Sequence, residues 1–153
     1  MNRQDITRLY EDYSRDVYRL ALSYLHSKHD AEDICQSVFL KLLEKDVSFL
    51  PGKEKAWLLK CTVNACKNHL SSFWKKNIQE LDESIVFGSP EEKGLWQQLS
   101  SLAPKDRALI HLSYFEGYSH EEIATIMGIT RTAVQTRMQR ARQKLKKELE
   151  ENA

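Results

Sequence analysis

The chain has 153 residues, of which 41% are hydrophobic and 29% are charged, and its formal net charge is +1. This composition is typical of a soluble globular protein and argues against a disordered or fibrous chain. No apolar run approaches the ~20 residues that a membrane span needs, and the polar N-terminus lacks the apolar segment of a secretory signal. We therefore expect a cytoplasmic protein with one domain or two small ones.

Apolar residues recur three and four apart along almost the whole chain, which predicts an all-α fold. A first helix is predicted over residues 6–25. A second is predicted from Asp30, whose carboxylate can cap free N–H groups, to about residue 45. Pro51 and Gly52 favour a loop before a third helix over residues 56–76.

Acidic and turn-forming residues, with little periodicity, characterise residues 77–94 and predict a flexible acidic linker. Helices over residues 95–102 and 104–114 follow, because Pro104 suits the first turn of a helix. The expected organisation is two small helical domains, over residues 1–76 and 95–153, joined by this linker.

The C-terminal sequence predicts a helix-turn-helix. Ser119 and Glu122 form a capping box that begins one helix, Gly128 can end it in the left-handed conformation, and Thr130 can cap the next. Two helices joined by such a short turn are the layout of a DNA-reading motif.

The second of these helices carries seven Arg and Lys residues and no acid over "GITRTAVQTRMQRARQKLKK". Its apolar face is predicted to be Val134, Met138, Ala141 and Leu145. The opposite face holds side chains suited to base edges, namely Thr132, Gln135, Thr136, Gln139 and Arg140. The cations expected on phosphates are Arg131, Arg137, Arg142 and Lys144. One sign of charge without acids indicates a polyanionic partner, the alternatives being a solvated helix or a basic protein-binding helix.

Two clusters of charged and polar residues in the N-terminal half also call for a functional explanation. Lysines in "KAWLLKCTVNACKNHLSSFWKK" are interleaved with aromatic and amide side chains, a pattern that suits single-stranded nucleic acid. Core packing is the alternative role for Trp57. Acids and Gln36 crowd the start of "DAEDICQSVFLKLLE".

The three cysteines, Cys35, Cys61 and Cys66, are odd in number and lie in helical sequence, so we expect reduced thiols. No CxxC is present, and residues five apart on a helix point in different directions. No metal or other cofactor is expected.

The order of these parts resembles a known family. "YRLALSYL", "DAEDICQSVFLKLLE", "AWLLKCTVNACKNHL", an acidic linker and "LAPKDRALIHLSYFEGYSHEEIATIMGITRTAVQTRMQRARQKL" together resemble a small two-domain sigma factor of bacterial RNA polymerase, of the extracytoplasmic-function (ECF) group. The resemblance covers nearly the whole chain. It implies a promoter-specificity subunit with no catalytic activity and no small-molecule substrate.

The resemblance also implies roles for individual residues. Those implied to bind the β′ clamp helices of core polymerase are Glu32, Asp33 and Gln36. Those implied or expected to contact the −10 element and its separated strand are Lys55, Asn64, Lys67, Asn68, Lys75 and Lys76. The loop at residues 46–53 is the implied pocket for an extruded base. The positions implied to read the −35 element are Gln135, Thr136, Gln139 and Arg140. The implied partners are promoter DNA, core polymerase through the β′ clamp and the β flap, and an anti-sigma factor.

Two other functions fit part of the pattern. A helix-turn-helix regulator that acts without polymerase would bind a palindrome as a dimer. A nuclease or recombinase with the same reading helix would need clustered carboxylates or a nucleophile beside a base. Asp30, Glu32 and Asp33 at a helix start fit capping and interaction better than catalysis.

Overall fold

Helices account for most of the described chain, which comprises residues 2–45, 47–73 and 85–151 of a computed structural model. Within these ranges there are seven α-helices and one π-helical turn, and no strand. The α-helices are α1 Arg3–Leu25, α2 Lys28–Glu44, α3 Glu54–Phe73, α4 Pro90–Leu99, α5 Pro104–Ile110, α6 His120–Met127 and α7 Arg131–Glu151. The π turn, His111–Phe115, continues directly from α5. The all-α prediction is confirmed.

The N-terminal helix is longer than the periodicity predicted because a capping box begins it. The Asp5 N–H donates to Asn2 Oδ1 at 2.8 Å, and the Asn2 N–H donates to Asp5 Oδ2 at 3.3 Å. The helix ends at His26, which adopts the left-handed conformation with φ of 52°. A non-glycine residue in this region carries a steric cost, so contacts elsewhere must hold His26 in place.

The start of α2 corrects one expectation. Ser27, not Asp30, is the N-cap: its hydroxyl accepts the Asp30 N–H at 3.3 Å. Asp30 lies in the first helical turn, where its carboxylate is 3.2 Å from His69 Nε2 on α3. Ser27 and Asp30, three positions apart, could each cap α2. Because α1 ends in a tight turn at His26, the earlier residue, Ser27, takes the N-cap position.

The start of α4 corrects a second expectation. The helix begins at Pro90, five residues before the predicted position, because the Ser89 hydroxyl accepts the Glu92 N–H at 3.1 Å and Pro90 occupies the first turn. Glu91 and Glu92 therefore belong to a helix and favour its positive end. Residues 77–84 of the predicted linker lie outside the described residues, and residues 85–94 lie within them.

One hydrophobic core runs through the described chain. Its central element is α1, which packs against α2, α3 and α5, while α6 packs against α3. Fully buried members from both halves, such as Leu20, Leu59, Leu112 and Ile123, belong to this core. The N-terminal half, α1–α3, and the C-terminal half, α4–α7, are therefore in direct contact. The domain boundaries at residues 76 and 95 remain a prediction.

Candidate nucleic-acid interface

The C-terminal helix-turn-helix forms through the local signals in its sequence. The Glu122 N–H donates to Ser119 Oγ at 3.2 Å, Gly128 closes α6 with φ of 69°, and the Ala133 N–H donates to Thr130 Oγ1 at 3.0 Å. These contacts confirm the predicted capping box and the predicted helix ends. They fix the direction in which α7 leaves α6.

Packing divides α7 into a buried and an exposed face. Val134, Met138 and Ala141 are buried against α5 and α6, while Leu145 is half-buried near the end of the core. The predicted reading residues all lie exposed on the other side, namely Thr132, Gln135, Thr136, Gln139 and Arg140. Along about two turns, amide, hydroxyl and guanidinium groups are thus open to a ligand.

The cations beside this face are less isolated than the helix sequence alone indicates. Arg131 Nη1 lies 3.0 Å from Glu121 Oε1 of α6, and Arg137 Nη1 lies 3.1 Å from Asp106 Oδ1 of α5. The acids missing from residues 131–147 of α7 are therefore supplied to Arg131 and Arg137 by neighbouring helices.

Two other predicted phosphate contacts are held by neutral groups. Arg142 donates to the Tyr114 hydroxyl at 2.7 Å, and Lys144 donates to the Ser101 carbonyl at 2.6 Å. These contacts keep both cations beside the reading face. Bonds of this kind at the surface are weak enough for a phosphate to replace them.

The predicted polymerase-binding residues are grouped on the exposed side of α2. Glu32, Asp33 and Gln36 are all exposed, while Ile34 and Val38 between and beyond them are buried. Asp33 Oδ2 has His29 Nε2 at 3.4 Å, and both side chains are more than half exposed. The first two turns of α2 thus present an acidic and amide-bearing surface to a partner.

The predicted strand-binding residues of α3 do not form one open face. Asn64 and Asn68 are exposed, whereas Lys55 and Lys67 are half-buried. Lys55 Nζ lies 2.6 Å from Glu116 Oε2 and 3.7 Å from Asp16 Oδ1. Lys75 and Lys76 lie outside the described residues.

Lys67 is held by the C-terminal half as well. Its ammonium donates to the carbonyl of Met127 at the end of α6, over 3.0 Å. Burial lowers the pKa of Lys67, and nearby Lys105 acts in the same direction. The cation therefore lies at the negative end of a helix.

The loop before α3 combines an anchored and a free part. Phe49 contacts Trp57 edge to face at 5.0 Å between ring centres, which gives Trp57 the packing role considered for it. Leu50 is 74% exposed, and Gly52 has φ of 79°. The described part of this loop, residues 47–53, thus carries an exposed apolar side chain at its tip.

A polar cluster between the halves was not predicted from the sequence. The Arg107 guanidinium, 2% exposed, donates to the carbonyls of Ser23 at 2.8 Å, Tyr24 at 2.6 Å and Leu102 at 2.9 Å. Two of these carbonyls belong to the last turn of α1, which has no further helical donors for them. An arginine at the start of the apolar run "RALIHL" was the available signal for burial.

Two histidines complete this cluster. His26 stacks on Trp96 with ring centres 3.9 Å apart, and its Nδ1 is 3.2 Å from Ser100 Oγ. His111 Nδ1 is 3.1 Å from Ser23 Oγ. These contacts explain how His26 is held in its left-handed conformation.

Burial shifts the protonation of this cluster. It lowers the pKa of His26 to about 3, with the Arg107 charge acting in the same direction. It lowers the pKa of His111 to about 4, where the Arg19 and Lys55 charges assist and that of Asp16 opposes. Both imidazoles are therefore neutral at pH 7.

The Asp16 carboxylate and the Lys55 ammonium respond to the same burial. Burial raises the pKa of Asp16, and the neighbouring Glu116 carboxylate raises it further against the opposing charges of Lys55 and Arg19. Burial by itself lowers the pKa of Lys55, but its hydrogen bond and ion pair with Glu116, together with Asp16, raise it overall. Two acids thus share one ammonium between the halves.

The thiols and histidines form no metal site in the described ranges. Cys35, Cys61 and Cys66 are free, and burial raises the pKa of each. No group of three or more His, Cys, Asp or Glu side chains in the part of the chain that the structure describes could hold a metal ion. Among the same residues no helix is long and apolar enough to span a membrane.

Two family models match the chain in sequence order. The model described as sigma-70 region 2 matches residues 9–76, and the one described as sigma-70, region 4 matches residues 93–145. The second match contains the helix-turn-helix, and the first contains α2, α3 and the loop between them. A helix-turn-helix regulator acting without polymerase accounts for the second match alone.

Curated relatives carry the same family name. The chain is 33% identical to the RNA polymerase sigma factor SigV of Bacillus subtilis, covering 85% of this chain and 82% of that protein. It is 30% identical to the ECF RNA polymerase sigma factor SigM of Bacillus subtilis, covering 92% and 93%. It is 29% identical to the ECF RNA polymerase sigma factor SigE of Mycolicibacterium smegmatis, and this match covers 90% of this chain and 59% of that protein.

Solved structures share the fold. The sigma factor RpoE from Bartonella quintana, in complex with the anti-sigma factor NepR, superposes with a TM-score of 0.76 over 96% of this chain and 98% of its own, at 23% identity. CnrH in complex with the cytosolic domain of CnrY superposes with a TM-score of 0.73 over 99% and 92%, also at 23% identity. Because both regions are present in order and the relatives match along nearly the whole chain, this protein belongs to the ECF sigma factors of bacterial RNA polymerase.

Proposed function

We propose that this chain binds core RNA polymerase and directs it to promoters by contacting the −10 and −35 elements. The observation that carries the proposal is the exposed face of α7, where Gln135, Thr136 and Gln139 stand beside Arg140 on a helix-turn-helix. Gln and Arg side chains form paired hydrogen bonds with base edges in a major groove, and Thr can contact a base through its hydroxyl or methyl group. The protein would act by binding alone, so we assign it no reaction and no cofactor.

The exposed side of α2 is the proposed contact with the β′ clamp of the polymerase. Asp33 and Gln36 are available there because the helix buries its other side in the core. The C-terminal half would contact the β flap. Core polymerase works in the cytoplasm, which is where we place the protein.

The proposed −10 contacts lie on α3. Asn64 and Asn68 are exposed, and Lys55 and Lys67 supply positive charge on the same helix. Bases of a separated strand can stack in the loop at residues 47–53, where Leu50 is exposed beside the Phe49–Trp57 pair. Lys75 and Lys76 would extend the basic path.

An inhibitory protein partner is part of the proposal. Two solved structures with the same fold are named as complexes, one with the anti-sigma factor NepR and one with the cytosolic domain of CnrY. We propose that this chain is also held by an anti-sigma factor.

The proposal is tested by transcription with purified core polymerase on fragmented genomic DNA. Asp33→Ala combined with Gln36→Ala should abolish polymerase association and promoter-dependent transcripts while leaving helical content unchanged. The matched control combines Asp12→Ala with Gln4→Ala, which removes the same exposed side chains from α1. If the wild-type chain neither joins core polymerase nor changes where RNA synthesis starts, the proposal is wrong.

The reading face is tested separately on a promoter found in this way. Gln139→Ala should relax the preference at particular −35 bases by roughly fivefold to a hundredfold, equivalent to about 1–3 kcal/mol. Lys146→Ala should weaken binding to all sequences alike and lower the salt dependence by about one unit. Equal effects of both changes on every sequence would contradict the assignment of the reading face.

A further inference from the structure

A cavity of about 620 Å³ lies between α1 and the first elements of the C-terminal half. Its walls come from one face of α1, from residues 85–86 ahead of α4, from α4, and from α5 with the π turn. This volume is typical of a small-molecule site. The exposed reading residues of α7 and the exposed acids of α2 lie outside its walls, so the proposed function leaves the cavity unused.

The cavity brings exposed apolar side chains together. Nine large apolar side chains of the described residues are exposed, and four of them line this one cavity, namely Val86, Leu95, Tyr114 and Phe115. Leu22 of α1, Leu99 of α4 and Ile110 of α5 extend the apolar wall. Single exposed apolar residues are ordinary, but several around one concave space indicate a place where an apolar group binds.

The charged groups at the cavity are mostly cations. Arg15 and Arg19 stand one turn apart on α1 and are exposed, and no carboxylate of the described residues is at ion-pair distance from either. Arg19 lies over the Phe115 ring, 5.5 Å from its centre, which places a cation directly beside the apolar wall. Among the described lining residues, Glu92 alone carries a carboxylate, and it is held at the start of α4 by accepting the Gly88 N–H at 2.8 Å. The cavity therefore favours an anionic group at its α1 side.

Two polar atoms of the lining residues have no hydrogen-bond partner. Within the described ranges, Trp96 Nε1 and His111 Nε2 are buried and unpaired, and both residues line the cavity. Glu116 Oε1 is 3.9 Å from His111 Nε2, which is too far for a hydrogen bond. The indole is held by its stack on His26 and its edge contact with Phe87. Unpaired buried polar groups are rare in native proteins and costly, and an oxygen of a bound molecule would supply an acceptor for the indole N–H.

We propose that this cavity binds a small amphiphilic anion. Its carboxylate or phosphate head would pair with Arg15 and Arg19 at the exposed edge, and its apolar body would lie among the side chains of α1, α4 and the π turn. A free molecule fits better than a membrane surface, because the walls come from several elements and surround the ligand, whereas a bilayer is contacted by one broad apolar face. The site goes beyond the proposed function and does not depend on it.

Dodecanoate, kept below the concentration at which it forms micelles, is the probe for this site. Isothermal titration calorimetry of the full chain should show saturable binding of one molecule per chain. The affinity should fall about tenfold from dodecanoate to decanoate and again to octanoate, because each CH₂ removed loses buried apolar contact. Dodecyltrimethylammonium, which has the same chain and the opposite charge, should bind at least about tenfold more weakly, because its head is repelled by the arginines.

The head-group contact is tested on α1. Arg15→Gln combined with Arg19→Gln should weaken dodecanoate binding about fivefold to tenfold, since exposed ion pairs of this kind are individually weak. The matched control is Arg3→Gln with Arg8→Gln, which removes the same charge from exposed positions of the same helix outside the cavity. This control should bind dodecanoate like the wild-type chain.

The apolar wall is tested on α4. Leu95→Asp places a negative charge among the apolar side chains and should weaken binding about tenfold or more by repelling the anion. Leu149→Asp on α7 is its control, because Leu149 is 52% exposed against 55% for Leu95 and lies outside the cavity. Both leucines are exposed, so the fold should be retained, and circular dichroism checks the helical content of every variant.

The Trp96 indole N–H reports where the ligand binds. Its signal in a proton–nitrogen correlation NMR spectrum, assigned by its loss in Trp96→Phe, should shift as dodecanoate is added. The indole signal of Trp57, which packs on Phe49 in the loop before α3, should stay in place.

Four results would overturn the proposal. They are the absence of saturable dodecanoate binding, equal affinity for dodecyltrimethylammonium, affinity that survives both the arginine and the Leu95 variants, and binding to phosphatidylglycerol vesicles by a chain that does not bind free dodecanoate. The last result would indicate a membrane surface as the ligand. None of these measurements uses polymerase or DNA, so failure of the proposed function is recognised separately.

Discussion

Acidification should destabilise the folded chain through the two buried histidines. His26 and His111 have pKa values of about 3 and about 4 in the fold because they are buried, against an ordinary value of 6.5. A depressed histidine pKa means that the unfolded chain binds protons first. Stability is therefore fully present above pH 6.5 and is lost as the pH falls towards the folded values.

The size of the loss follows from these shifts. Between pH 7.5 and pH 5 each histidine is protonated in the unfolded chain and stays neutral in the fold, which costs about 2 kcal/mol per site. His111 is 8% exposed at its side chain, so solvent screening reduces this little. Asp16 acts in the opposite direction, because its raised pKa adds stability as the pH falls. The expected net loss is up to about 4 kcal/mol.

The measurement is urea unfolding at both pH values, followed by circular dichroism. His111→Asn retains an amide at the position of Nδ1 beside Ser23 and should reduce the pH-dependent loss by about 2 kcal/mol. His26→Asn should do the same, since Asn tolerates the left-handed conformation. His29→Gln, which removes an exposed imidazole, is the control. A loss that is the same in wild type and all three variants would refute this account.

Three further predictions concern local structure. Gly128→Ala should lower stability by about 1 kcal/mol in thermal unfolding, because φ of 69° strains any side chain although the space beside it is open. Glu122→Ala should cost a similar ~1 kcal/mol by removing one half of the capping box of α6, whereas Glu121→Ala, which loses only an exposed ion pair, should cost less. Cys66 should resist iodoacetamide in the native chain at pH 8, and the half-buried Cys61 should react first. The reason is that burial raises the pKa of Cys66 and shields its sulfur. Labelling is followed by mass spectrometry, and a result in which Cys66 is labelled first would contradict this prediction.

Local sequence signals were sufficient to predict where the two helices of the helix-turn-helix begin and end. Ser119, Gly128 and Thr130 act on backbone groups within four residues, so their effect can be read without knowing the rest of the fold. The exposed face of α7 could be predicted from the helical spacing of its apolar residues, because a helix that buries Val134 and Met138 must expose Gln135 and Gln139.

Where two local signals compete, the sequence did not decide between them. Ser27 and Asp30 can each cap a helix, and Ser89 with Pro90 can begin a helix or belong to a turn. The tight end of α1 at His26 and the packing of Trp96 on His26 settle both cases. The sequence of α7 also did not show that two of its cations are paired, because the acids that pair with Arg131 and Arg137 come from other helices.

Only the tertiary structure decided that the halves meet. Lys67 and Met127 are 60 positions apart, and Arg107 lies 84 and 83 positions from the carbonyls of Ser23 and Tyr24. No periodicity or spacing reports a contact over such a separation, since periodicity describes one element and its own faces. The sequence therefore determined the helices and the groups they expose, while long-range packing determined which of those groups are open to DNA and which are held by the chain itself.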